Sequence, residues 1–133
     1  MTSVETIAAE GVVLCHIVRS DQIPEVTTFS TPPEAVLQVG HIVYPRGHEI
    51  PRHEHRPVER QITGTGEVLL VRSGRCELDV YDGQRRLVTT RELLVGDIVI
   101  MAGGGHGLRM VEDTVLLEVK QGPYAGADEK VRF

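Results

Sequence analysis

The stretch Gly47-His48-Glu49-Ile50-Pro51-Arg52-His53-Glu54-His55 sets two imidazoles two residues apart, shortly after a glycine and a proline. Residues i and i+2 of a β-strand project to the same face. On such a backbone His53 and His55 reach one metal ion together, while Arg52 and Glu54 turn the other way. Two further donors follow in the chain: Glu67 opens the apolar run Val68-Leu69-Leu70-Val71, and His106 follows Gly103-Gly104-Gly105. Three imidazoles and one carboxylate suit one divalent first-row ion, Fe(II), Mn(II), Ni(II), Cu(II) or Zn(II), and the donor set does not choose among them. If the ion is six-coordinate, these four donors leave two positions for water, substrate or dioxygen.

Strand-like runs dominate beyond residue 11: Val12 to Val18, Val36 to Tyr44, Glu67 to Arg72, Arg75 to Tyr81, Leu87 to Arg91, Asp97 to Met101 and Thr114 to Lys120. They are rich in Val, Ile and Leu, and turn residues separate them. Cys76, Leu78 and Val80 alternate with Glu77, Asp79 and Tyr81, the pattern of a half-buried antiparallel strand. Ser73-Gly74 and Asp82-Gly83 both read as hairpin connections. Helical periodicity is confined to Val4 to Ala9 and a turn near Pro33 to Ala35. Many short strands at this spacing predict an all-β sandwich or barrel with little helix.

A length of 133 residues is that of a single domain, 1–133, large enough to bury roughly two-thirds of its unfolded surface. The formal charge of −5, from 19 acidic and 14 basic residues, and the lack of a basic cluster argue against nucleic acid and anionic membrane as partners. No stretch approaches the ~20 apolar residues of a membrane span, and the first ten residues lack a signal-peptide core. A cytoplasmic protein is therefore expected. Cys15 and Cys76 are expected to be reduced, buried thiols.

With these motifs in place, residues 36 to 120 resemble the cupin superfamily. The first cupin motif is matched by Gly47, by His53 and His55, and by Glu67 with Gly74 beyond it. The gap from Arg56 to Gly66 is longer than the family's, and Glu59 falls at the family's usual spacing, so Glu59 competes with Glu67 for the carboxylate role. The second motif is matched by Gly96-Asp97, the apolar run Ile98 to Met101 and Gly103-Gly104-Gly105-His106; it lacks the usual proline and is one residue short. The resemblance implies a jelly-roll β-barrel with its core over about 36–120, an N-terminal strand over about 12–18 and a tail over 121–133. It implies metal ligation by His53, His55, Glu67 and His106, and a homodimer. Small stand-alone cupins of unassigned function are the most similar members.

The remaining histidines have simpler roles: His48 has the opposite strand parity to His53, and His16 and His41 lie in apolar runs. Substrate-facing candidates are Tyr44, Glu59, Arg60, Gln61 and Arg109, with the loop Arg56 to Gly66 as a rim or lid. No nucleophile elbow, phosphate loop, His-Glu-x-x-His helix or Cys-x-x-Cys pair is present. Two readings of function follow. One is a metal-dependent enzyme, an oxygenase or an isomerase or epimerase, acting on a polar small molecule such as a sugar or keto compound. The other is a non-catalytic chain that binds or senses a small sugar or acid. Fold analogy does not decide between them.

Overall fold

The structure is a computed structural model that describes residues 4–133. In chain order its strands are β1 (Glu5–Ala9), β2 (Val12–Val18), β3 (Thr28–Phe29), β4 (Gly40–His41), β5 (Glu67–Ser73), β6 (Cys76–Tyr81), β7 (Leu87–Leu93), β8 (Ile98–Met101), β9 (Gly105–Met110) and β10 (Val115–Lys120). One 3-10 turn, Ala127–Glu129, follows them, and no α-helix occurs among the described residues. Among the described residues no helix is long and apolar enough to cross a membrane. The chain divides into two units, Met1–Gln22 with Thr65–Phe133, and Ile23–Gly64.

The first unit holds a five-stranded sheet, in the order β1-β2-β8-β5-β10, and a three-stranded sheet, β7-β6-β9. Every pairing is antiparallel. The alternation in β6 sets which face is inside: Cys76, Leu78 and Val80 are 0–1 % exposed. They join Ile7, Cys15, Ile17, Leu69, Val71, Val99 and Met101 of the larger sheet in one apolar cluster. A cluster drawn from both sheets is the core of a small β-sandwich. Burial of each large side chain, such as Leu78 or Leu93, contributes about 1.5–3 kcal/mol.

Both sheets are open, with β1 and β10 at the edges of one and β7 and β9 at the edges of the other, so they do not close into the expected barrel. Ser73-Gly74 is likewise not a hairpin, because β5 and β6 belong to different sheets. Gly74 instead turns the chain from one sheet to the other at φ 86°, where a Cβ would lie 2.2 Å from the Asp113 carbonyl oxygen. Between β6 and β7 the residue with positive φ is Arg85, not Gly83. There the Asp82 carboxylate accepts hydrogen bonds from the amides of Gln84 and Arg86, which fixes a longer loop.

Of the residues expected to favour helix, Val4 to Ala9, all but Val4 form strand β1. Pairing with β2 places Ile7 beside Cys15 in the core, so tertiary burial overrides a weak local preference. The N-terminal hairpin is thus part of the core sheet rather than an addition to it.

The second unit is irregular. Of the expected strand Val36 to Tyr44 only Gly40–His41 pairs, with Thr28–Phe29. The Phe29 ring lies over Gly40. The Gln38 amide gathers the loop between them, donating to the carbonyls of Pro32 (3.1 Å) and Ala35 (2.8 Å). No strand occurs from Ile42 to Gly66.

Candidate functional site

Glu67 is the first residue of β5. Its register partners are Met101 on β8 and Lys120 on β10, and it alternates with buried Leu69 and Val71, so its carboxylate enters the inter-sheet space. Only 8 % of the residue is exposed. His106 is the second residue of β9, opposite buried Val80 and so on the inner face of the smaller sheet, but its side chain stays about a third exposed. The two side chains meet across the sandwich, with His106 Nε2 3.1 Å from Glu67 Oε1.

The glycines before His106 bring the chain to this point. At Gly104, φ is 63°, and a Cβ would sit 2.2 Å from the carbonyl oxygen of Tyr81 and 2.8 Å from the Leu14 side chain. The backbone there packs closely on Tyr81 and Leu14.

Burial pushes the Glu67 carboxyl above its ordinary value, and a hydrogen bond with Glu118 raises it further. The charges on His106 and Lys130 work in the opposite direction, and burial wins. Glu118 and Lys120 share the inward face of β10 with Leu116, as their pairing with Leu69, Glu67 and Val71 shows. Sequence reading passed over Glu118, although a charged residue at the inward parity of an apolar strand was the available signal.

His53 and His55 lie in the second unit, exposed and without strand pairing. Their rings are nonetheless neighbours, with centroids 5.3 Å apart in an edge-to-face arrangement at 67°. His53 Nδ1 lies 2.8 Å from the Pro51 carbonyl oxygen. A carbonyl only accepts, so Nδ1 donates here, and in the neutral imidazole the lone pair is then on Nε2. A backbone carbonyl commonly fixes a metal-binding imidazole in this way. Glu59, Arg60 and Gln61 are exposed in the same irregular stretch.

The donors are therefore gathered in two pairs, Glu67 with His106 and His53 with His55. Among the described residues no three His, Cys, Asp or Glu side chains are gathered as an ion would require. Tyr44 stacks on His48 at 4.0 Å and 11°. Arg109 lies on the face of β9 opposite to His106, where it pairs with Asp79 and, at 3.5 Å, with Glu77. Hydrogen bonds from Thr90 and Arg109 hold the Asp79 carboxyl below its usual range. His16, buried on β2, meets the Thr6 hydroxyl at 2.9 Å, and burial lowers its pKa.

No protein-family model, no curated protein and no solved structure matches this chain. What is established is a small all-β protein in which a glutamate and a histidine from opposite sheets are paired.

Proposed function

We propose that the chain is a cupin-like protein that binds one divalent transition-metal ion through His53, His55, Glu67 and His106. In this reading it is a metal-dependent enzyme acting on a polar small molecule such as a sugar or keto compound. The observation that carries the reading is the His106–Glu67 contact at 3.1 Å, which sets a largely buried carboxylate against an imidazole from another sheet. A carboxylate withdrawn from water at a cost gains most from a cation. The fixed His53 tautomer supports the same reading, since its Nε2 is left free to donate. When bound, such an ion supplies Lewis acidity toward a carbonyl or hydroxyl oxygen. The chain's own part is to hold the Glu67 carboxylate inward against His106 and to keep bulk water from its buried side.

The direct contact also favours a second reading. Glu67 and His106 already satisfy one another, as in a non-catalytic protein that binds a small sugar or acid. Elemental analysis of protein purified without a metal-chelating tag separates the two. The enzyme reading expects close to one transition metal per chain, and its loss in both His106→Ala and the double variant His53→Ala/His55→Ala. A metal-free chain whose melting temperature does not rise with added Zn(II), Mn(II), Fe(II), Ni(II) or Cu(II) would sink it, because an ion that binds only the folded state must stabilise it.

A further inference from the structure

We infer that the outer face of the smaller sheet carries a separate ligand site, a shallow slot over Gly107 that takes a neutral sugar ring. It lies on the side of β9 away from His106, so it does not rest on metal binding by the Glu67–His106 pair. On that face β9 presents Gly105, Gly107 and Arg109, opposite Tyr81, Asp79 and Glu77 of β6. Gly105 is already covered, because the Phe133 ring lies 2.8 Å from where its Cβ would be. Gly107 is not: a Cβ there would have no heavy atom within 4 Å beyond its own chain neighbours. The strand therefore has a gap one side chain wide, with an aromatic ring toward one end and a guanidinium toward the other.

The surroundings of the gap suit the two kinds of surface that a sugar presents. The Phe133 ring is 60 % exposed, yet it is held edge to face against Tyr81 at 5.1 Å and 87°, with the Arg85 guanidinium 5.2 Å from its centroid. A fixed, exposed ring offers apolar contact to the C–H groups of a pyranose. Asp79 forms the inner wall. Its carboxylate accepts from the Thr90 hydroxyl at 2.6 Å and from Arg109, which leaves about two of its roughly four lone-pair sites free.

Arg109 stands half exposed with Nη1 on Asp79 and Nη2 3.5 Å from Glu77, and its remaining N–H groups are donors without an acceptor in either carboxylate. Adjacent hydroxyls of one sugar donate to Asp79 and accept from Arg109. Both partners are already held by the sheet, so little ordering is lost on binding. Charge selects against a sugar acid: Arg109 is shared between two carboxylates, and an anion would meet the excess negative charge of Glu77 and Asp79.

The test is titration of the chelator-treated full chain with the methyl α-glycosides of glucose, galactose and mannose, followed by amide NMR shifts. Saturable shifts at Gly105, Gly107 and Asp79 are expected with at least one of them, with a dissociation constant of about 1 mM, the scale of a small ligand on a shallow face. Gly107→Val fills the gap with a residue that strands favour; it should keep the parent melting temperature and weaken this binding by about tenfold or more. Arg109→Met, a change in an exposed side chain, should weaken it likewise, and glucuronate should bind less tightly than methyl glucoside. No saturable shift with any of the three glycosides overturns the site. So does full-strength binding in both variants, and so do shifts centred on Glu67 and His106, which would place the sugar on the other face of β9.

Discussion

Arg91 on β7 holds both carboxylate oxygens of Glu5 on β1, with Nε 3.2 and 3.0 Å from Oε1 and Oε2 and Nη2 2.9 Å from Oε2. The two strands are edges of different sheets. This clip spans the sandwich on one side, as the Glu67–His106 pair does toward the other. Both of its members are about a third exposed, and exposed pairs contribute about 0.2–1 kcal/mol. Arg91→Met is therefore expected to lower stability by about 1 kcal/mol or less, measured by urea denaturation. A much larger loss would mean that the clip organises the edge rather than decorating it.

Asp97 presents the opposite case. It is 3 % exposed and accepts from the amides of Ser20 and Leu94 and from Arg19 Nη1, each at 2.9 Å. Arg19 also donates to the Glu92 carbonyl at 2.7 Å, so one carboxylate ties the ends of β2 and β7 to the approach to β8. Asp97→Ala leaves those donors without a partner and is expected to cost about 3 kcal/mol. A cost below that of the Arg91 variant, in the same denaturation series, would contradict the hub.

Glu67 predicts a pH signature. Its folded pKa is raised, so the folded chain holds this proton more tightly than the unfolded chain. The resulting stability is fully present below the ordinary value of 4.5 and is lost as pH rises through the raised one. Glu67→Gln is permanently neutral. In chelator-treated protein it should melt above the parent near neutral pH, by a few degrees, and the difference should shrink toward zero below about pH 4.5. Melting curves in which the variant is equal or worse near neutrality would show that the attraction of His106 and Lys130 outweighs burial.

Both cysteines are buried and unpaired. Burial, with help from Glu5, pushes the Cys15 thiol up to about 11, and burial also raises Cys76. A thiolate is the reactive form. Ellman's reagent at mild alkaline pH should react slowly with the native protein and release the equivalent of two thiols only on denaturation without reductant. Rapid native reaction at either position would mean that the sandwich opens readily.

Where side-chain periodicity carries the information, the sequence was readable. The alternation of Cys76, Leu78 and Val80 foretold the inner face of β6, and six of the seven expected runs became strands close to their expected bounds. Val36 to Tyr44 did not, because an apolar run states only that it prefers to be covered, not which strand pairs with it. The strand β9 was not foreseen, since Gly105-His106-Gly107 has neither β-branched residues nor alternation and is held by pairing to β6. Closure also escaped: hairpin signals at Ser73-Gly74 describe a turn, and a turn between sheets uses the same residues as one within a sheet. For the site, a shared motif named Glu67 and His106, and tertiary pairing brings them to 3.1 Å. Glu118 showed only as a charge at the inward parity of its strand, and Lys130 not at all, because their relevance depends on which strand and segment lie beside β5.

The inward charges of β10 bear on how the protein behaves when concentrated. β10 ends its sheet, and Val115, Leu117 and Val119 are 45–62 % exposed along it. An apolar edge of this kind is a template for strand addition and fibre growth. A neighbouring molecule that added a strand here would have to crowd Glu118 and Lys120 into the inter-sheet space and strip them of water. Charges pointing inward from an edge strand are a known guard against such growth. The residues that shape the surroundings of Glu67 therefore also set the colloidal behaviour of the chain, and making them apolar in search of a tighter core would trade solubility for aggregation.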